Sequence, residues 1–541
     1  MNLLVIQDYL RKNKLSWLLV PREDEFLGEY VPECNERLLW ATGFSGSAGL
    51  AVIGQNEAYL FVDGRYTLQA EKQAKGFEIY SLSDFFEWLE KAIHPDDNIG
   101  LNLKLHSQGF VRKLHETNLK IQHIDPYPID ELWKNCPKSP QSIIVPHILK
   151  YAGESHTSKL KRVIDAFSED ADALYVQDPH DLAWLLNLRG GDLEFTPISL
   201  GRGLIWKNGT VDVFFNSIEI SEEVHAHLGS NVHFHALNDL ENYLLKPLAV
   251  QIDPAASAYD RQLIGNRGVV KPSPISFMKA VKNPAEIEGM RKAHEWDGQA
   301  LRKFRQWLQT QEVEVLDEII AAEKLESFRR ECLEYKGPSF PTISGFAENG
   351  AIVHYRAESE TKRKFEKNAL YLVDSGGQYL EGTTDVTRTF VIGKPTAEQR
   401  KAYTLVLKGH LRLARAVFPK GTTGHQLDAL ARYDLWQNGL NYEHGTGHGV
   451  GSYLSVHEGP QGISPRMNST PLQPGMVLSN EPGYYKAGEY GIRIENMMVV
   501  KESQHEGYLC FETLTRVPYE DDLIEDSMLT DEERFFINQY K

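Results

Sequence analysis

Cysteine is scarce in this chain: four residues in 541, Cys34, Cys136, Cys332 and Cys510, far apart in sequence and with no Cys-x-x-Cys pair. That pattern argues against thiolate metal sites and a disulfide framework, and for reduced, partly buried thiols in a cytosolic protein. Apolar runs of membrane-spanning length are also missing. The start, Met1-Asn-Leu-Leu-Val-Ile-Gln-Asp8, meets an acid before a signal-peptide core could form, and Arg11, Lys12 and Lys14 follow. The expected location is therefore cytoplasmic. Positive charge is in deficit, with 58 Lys and Arg against 75 Asp and Glu and a net charge of −17. An acidic surface repels nucleic acid and anionic membranes, so neither is expected as a partner. No segment is of low complexity.

What is present fits a large globular protein. Hydrophobic residues make up 41% and charged residues 25% of the chain, and 541 residues exceed what one core organises. Two proline-bearing polar stretches, Pro137-Lys-Ser-Pro140 and Lys271-Pro-Ser-Pro274, mark expected boundaries and give domains 1–140, 141–275 and 276–541. The first two segments resemble each other. Trp17-Leu-Leu-Val20, Leu38-Leu-Trp40-Ala-Thr-Gly43 and Leu50-Ala-Val-Ile53 are echoed by Leu174-Tyr-Val176, Leu182-Ala-Trp184 to Gly190, and Leu204-Ile-Trp206. A domain duplication follows, each copy a small α/β domain with hairpins such as the one predicted around Asn208-Gly209. The third segment opens on Asn283-Pro284-Ala-Glu286, an N-cap, a first-turn proline and a capping-box glutamate. Strands are predicted to dominate from Ala369 onward. Thr530-Asp-Glu-Glu533 starts a last short helix expected to pack through Phe535, Phe536 and Tyr540.

Five candidate metal ligands lie in that third segment. Asp374 ends the apolar run Ala369-Leu-Tyr-Leu-Val373, ahead of Ser375-Gly-Gly377, which reads as a turn. Asp385 begins Asp385-Val-Thr-Arg-Thr-Phe-Val391, so the two acids sit near one end of a predicted hairpin. His448 lies in the glycine frame His444-Gly-Thr-Gly-His448-Gly-Val-Gly451, Glu481 in Asn480-Glu481-Pro482-Gly483, and Glu495 two residues after Arg493 on a predicted strand Gly491 to Val500. Each alone has a plainer reading: a turn acid, a flexible loop, a surface ion pair. A phosphate loop is disfavoured because no Lys-Ser/Thr follows the glycines. Together, four carboxylates and one imidazole carry too much charge for one divalent cation and suit two, with carboxylates bridging the pair.

On these residues the chain resembles the Xaa-Pro aminopeptidases (aminopeptidase P) of the three-domain cytosolic kind. The likeness is most specific in Pro274 to Arg291, in Asn349-Gly-Ala-Ile-Val-His354-Tyr and in Glu381-Gly-Thr-Thr-Asp385-Val-Thr-Arg-Thr. It continues in His444 to Gly451 and Val456-His457-Glu-Gly-Pro. The resemblance implies an α/β fold of two creatinase-like domains followed by a "pita-bread" metallopeptidase domain, with pseudo-symmetric halves clasping a dinuclear centre. It implies Asp374, Asp385, His448, Glu481 and Glu495 as ligands to two divalent cations, usually manganese (Mn2+), and a homodimer. It further implies His354 and His457 as catalytic histidines that line the substrate without binding metal, and His444 and Arg493 as substrate-binding pocket residues. Arg65, in Phe61-Val-Asp63-Gly-Arg65-Tyr, matches a segment whose arginine is associated with substrate.

The expected reaction is attack of a metal-bridging water on the first carbonyl of a peptide with proline second, with Glu481 as general base. An Xaa-Pro bond has no amide N–H, so a pocket shaped for the pyrrolidine ring takes the place of a backbone grip. A prolidase, confined to dipeptides, is the alternative, and a non-catalytic peptide-binding scaffold of the same fold a more distant one. Methionine aminopeptidase lacks the two preceding domains.

Overall fold

The structure is a computed structural model that describes residues 2–216 and 219–540. The chain divides into two units, Met1–His147 with Ser155–Glu194 and Ile198–Ile275, and Ile148–Glu154 with Phe195–Pro197 and Ser276–Lys541.

The first unit holds two six-stranded sheets. From edge to edge, one runs Glu78–Ser81, Ala58–Val62, Gly49–Gly54, Trp17–Pro21, Asn98–Leu101 and Lys120–His123. The other runs Val232–Ala236, Val211–Phe215, Gly201–Trp206, Ala173–Val176, Val250–Ile252 and Gly268–Val270. Parallel and antiparallel pairings coincide at every position of the two sheets. The duplication is therefore one of topology. In the central strand of the first sheet, Leu18 and Val20 join one core cluster while Trp17 and Leu19 join another, because side chains alternate across a sheet covered on both faces. The predicted hairpin turns at Gly209, whose φ of +89° a side chain would resist.

The second unit repeats an order of helix, helix, then strands. Helix Pro284–Thr310 starts on the predicted capping box of Asn283 and Glu286 and is followed by Glu318–Arg329, capped by Asp317. Strands Ile343–Phe346, Ala369–Ser375 and Val386–Ile392 then form an antiparallel sheet. Helices Ala397–Ala414 and Gly424–Trp436, each on a capping box, open the second half. They lead to a six-stranded sheet that includes Gly447–Gly449, Val477–Asn480 and Asn496–Glu502.

Local details depart from the sequence expectations. Ser375-Gly-Gly377 is no turn: Ser375 ends one strand and Gly377 opens another, Gly377–Tyr379. A Cβ on Gly376 would lie 2.0 Å from the Thr384 carbonyl oxygen, so the glycine permits close backbone approach. The strand predicted from Gly491 to Val500 breaks at Ile494 and Glu495, between Tyr490–Arg493 and Asn496–Glu502. The last helix, Asp531–Asn538, packs through Phe536 and Tyr540 as expected but leaves Phe535 70% exposed, with Ile537 buried in its place.

Candidate metal centre

Both halves of the second unit deliver candidate ligands. Strand pairing sets Asp374 opposite Thr387 in the first sheet, two residues from Asp385. In the second half, His448 sits in the middle of the short strand Gly447–Gly449, which pairs with neighbours on both sides. Its flanking glycines are there for proximity: a Cβ on Gly447 would be 2.0 Å from the Ser479 carbonyl oxygen, and one on Gly449 would be 2.1 Å from that of Glu458. The glycine frame is thus a tightly packed strand and not a flexible loop. Glu481 follows the strand Val477–Asn480, its N–H donating to the Thr446 carbonyl at 2.8 Å. Glu495 occupies the strand break, its N–H reaching the Thr387 carbonyl at 3.2 Å.

Asp385, His448 and Glu495 each offer a ligand atom within 4.8 Å of the others. His448 Nε2 lies 3.5 Å from both Asp385 Oδ2 and Glu481 Oε1. His448 Nδ1 donates to the Gly449 carbonyl at 3.0 Å, which turns Nε2 to the carboxylates, the orientation a ligand requires. Thr387 Oγ1 donates to Glu495 Oε2 at 2.7 Å, and Ser479 Oγ donates to Glu481 Oε1 at 3.1 Å.

Arg493 and Glu495 do not form the plain surface ion pair. Both are 1% exposed, and Arg493 bonds Asp374 Oδ2 at 2.7 Å. Its Nη1 also donates to Tyr485 Oη at 2.7 Å, and Tyr485 in turn donates to His444 Nε2 at 2.8 Å. A continuous chain therefore runs from His444 through Tyr485 and Arg493 to Asp374. His444 Nδ1 donates to the Gly445 carbonyl, which fixes the tautomer. The His457 ring stands edge-on to His448 at 4.4 Å between centroids. His354 follows Val353, whose carbonyl accepts from Arg493 Nη2 at 3.3 Å. That turn lies so close to the Arg493 strand that a Cβ on Gly491 would be 1.7 Å from the Gly350 carbonyl oxygen. Arg65 belongs to the first unit, in a turn capped by Asp63, and its Nε donates to Asp63 Oδ1 at 2.7 Å.

The donor set fits cations. Burial, then the neighbouring Asp374 and Glu481 carboxylates, push the Asp385 pKa well above its ordinary value. Burial, followed by Asp385, Asp374 and Glu481, does the same to Glu495. Such crowding is costly unless positive charge compensates it. Asp374 Oδ1 and Asp385 Oδ1 are buried with no hydrogen-bond partner among the described residues, as acceptors reserved for metal would be. Glu481 has the most exposed side chain of the compared acids, 19% against 10% for Asp374 and 6% for Asp385, so it faces the open side with His448.

Tyr485 and Thr387 escaped the sequence reading, because a tyrosine or threonine in a strand ordinarily signals only β propensity. Tyr485→Phe removes the oxygen that joins Arg493 to His444. The variant is expected to keep its metal and lose about tenfold in kcat, equivalent to about 1.4 kcal/mol. Metal analysis with steady-state kinetics checks this, and unchanged kcat would show that the link has no catalytic role.

Buried carboxylates from both halves of this fold, gathered around one imidazole, define a metallohydrolase centre. Residues 288–502 match the model of metallopeptidase family M24 and 507–541 that of its C-terminal region. Residues 3–132 and 135–286 match creatinase/prolidase N-terminal domains. A protein of Laccaria bicolor named as a probable Xaa-Pro aminopeptidase P is 38% identical over 99% of this chain and 88% of its own. One of Botryotinia fuckeliana with the same name is 39% identical over 99% and 88%. The crystal structure of X-prolyl aminopeptidase from Caenorhabditis elegans, described as a cytosolic enzyme with a di-nuclear active site, superposes with a TM-score of 0.93. It is 32% identical and covers 97% of this chain and 90% of its own. The Xaa-Pro dipeptidase of Bacillus anthracis reaches a TM-score of 0.56 at 25% identity, over 68% of this chain and 99% of its own. The chain belongs to metallopeptidase family M24, in its Xaa-Pro aminopeptidase P branch, and is a metallo-aminopeptidase.

Proposed function

We propose that the enzyme hydrolyses the first bond of peptides with proline at the second position and releases the N-terminal residue. The buried four-carboxylate, one-histidine cluster supports this reading, together with likeness over almost the full length to X-prolyl aminopeptidase. Asp374, Asp385, His448, Glu481 and Glu495 would hold two divalent cations, manganese in this reading, which when bound acidify a water and polarise the scissile carbonyl.

The remaining steps belong to the chain. Glu481, on the open side, takes the proton of the attacking water as the new C–O bond forms. It returns that proton to the proline nitrogen, which leaves as a secondary amine when the C–N bond breaks. His354 and His457 donate to the oxyanion that develops between these events. Arg493, buried against Asp374, acts by holding that ligand and not by gripping substrate, and His444 acts through Tyr485. The same reading assigns domains 1–140, 141–275 and 276–541, a cytoplasmic location and a homodimer. Among the described residues no helix is long and apolar enough to cross a membrane.

Product analysis on Arg-Pro-Pro and Ala-Pro with added manganese tests the proposal. Free arginine and Pro-Pro are expected from the tripeptide. Cleavage of Ala-Pro alone would make the enzyme a prolidase, and no turnover of either by metal-loaded protein would leave a peptide-binding scaffold.

Arg65 enters this proposal as a contact to the peptide beyond its proline, where a planar donor fork suits a carbonyl or carboxylate. Arg65→Ala is expected to raise KM for tripeptides about three- to tenfold, the loss of one hydrogen bond, with less effect on dipeptides. Metal content should not change. Identical kinetics at every peptide length would leave Arg65 with its Asp63 contact as its whole role.

A further inference from the structure

Two buried side chains outside the ligand set tie together three of the segments that carry it. His410, on helix Ala397–Ala414, is fully buried. Its Nδ1 donates to the Asn480 carbonyl at 3.1 Å and its Nε2 accepts from Asn496 Nδ2 at 3.1 Å. Asn480 Nδ2 returns a bond to the His410 carbonyl at 2.9 Å. Burial holds the imidazole pKa down at about 3, so the ring is neutral and keeps one tautomer. Asn480 immediately precedes Glu481, and Asn496 immediately follows Glu495.

Arg388, on the first-half strand Val386–Ile392, completes the arrangement. All five of its N–H groups are used: Nη1 on the Thr387 and Glu495 carbonyls at 2.8 and 2.6 Å, Nη2 on Asn496 Oδ1 and the Val517 carbonyl at 2.8 and 2.7 Å, and Nε on the Pro518 carbonyl at 3.1 Å. Every acceptor is a neutral oxygen. The Asn496 amide thus joins both partners, offering its nitrogen to His410 and its oxygen to Arg388. The connected path runs from the segment of Glu481 through His410 and Asn496 to the segments of Glu495 and Asp385.

We propose that His410, Asn496 and Arg388 form a clamp that sets the spacing of the ligand-bearing segments and thereby the affinity for the metal pair, without touching metal or substrate. They are positioning residues. Outer partners that orient ligands in this way contribute about 10- to 100-fold to metal affinity. The inference rests on the metal-centre reading above.

The test is calorimetric titration of the full-length, metal-stripped protein with manganese(II) alone, beside thermal unfolding of the same metal-free samples. His410→Leu is expected to weaken manganese binding about 10- to 100-fold. At saturating manganese its kcat should fall while KM for Arg-Pro-Pro stays. His410→Gln, whose amide can both donate and accept, should restore binding. Arg388→Lys, which keeps the charge but not the fork, is the second variant and should also bind manganese more weakly. Wild-type affinity in both His410→Leu and Arg388→Lys overturns the clamp. So does failure of both to fold, which would assign these residues to stability alone. Wild-type protein that takes up no manganese would instead overturn the metal-centre reading.

Discussion

Asp385→Asn is expected to lose metal and activity together while the fold survives. Asp385 is 4% exposed, its Oδ2 lies 3.5 Å from His448 Nε2, and its Oδ1 has no hydrogen-bond partner among the described residues. An amide there keeps the shape but removes the charge that a cation needs. Burial and the Asp374 and Glu481 carboxylates raise the Asp385 pKa, so the neutral amide relieves repulsion in the metal-free protein. The variant should therefore fold at least as well as metal-stripped wild type. Loss of several kcal/mol of charge stabilisation corresponds to a fall in kcat/KM on the order of 10³-fold or more. Metal analysis, circular dichroism and kinetics on Arg-Pro-Pro check the three parts. Two metals per chain and full activity in Asp385→Asn would remove it from the ligand set.

His457→Ala is expected to separate metal binding from catalysis. The His457 ring is 4.4 Å from that of His448, near enough to reach bound substrate beside the cluster. Loss of an oxyanion donor costs roughly 10²–10³-fold in kcat, with the metal load and KM little changed. If His457→Ala lost a metal ion, the imidazole would belong among the ligands.

The candidate ligands stood out in the sequence because each lies where an apolar run stops, and because four acids and a histidine make sense together only around cations. Strand pairing within each half, and cross-links such as the Glu495 N–H to the Thr387 carbonyl, then bring them within reach. The duplicated sheets were legible for a related reason: paired apolar runs and matching tryptophans survive in both copies. Close approaches were not. Gly376 and Gly447 read as turn residues and Gly491 as the start of a strand, yet each is required where two backbones touch, a fact of tertiary packing. The strand predicted across Ile494 and Glu495 followed the apolar residues on either side, Ile492, Ile494 and Met497 to Val500, although Glu495-Asn496 interrupts them. Single buried polar residues were hidden too. Arg388 alternates onto the same face as Val386 and Phe390 and is fully buried, but the acceptors that satisfy it are distant in sequence. His410 sits in an amphipathic helix with nothing nearby in sequence to mark it. Phe535 misled in the other direction, as an aromatic residue that stays at the surface.

The most direct measurement is a manganese titration of metal-stripped enzyme with Arg-Pro-Pro as substrate, reading products and rate against metal per chain. Activity should rise from near zero to a plateau at two equivalents, with arginine and Pro-Pro as the products throughout. Full activity without metal, a plateau at one equivalent, or proline released in place of arginine would contradict a dinuclear Xaa-Pro aminopeptidase centre.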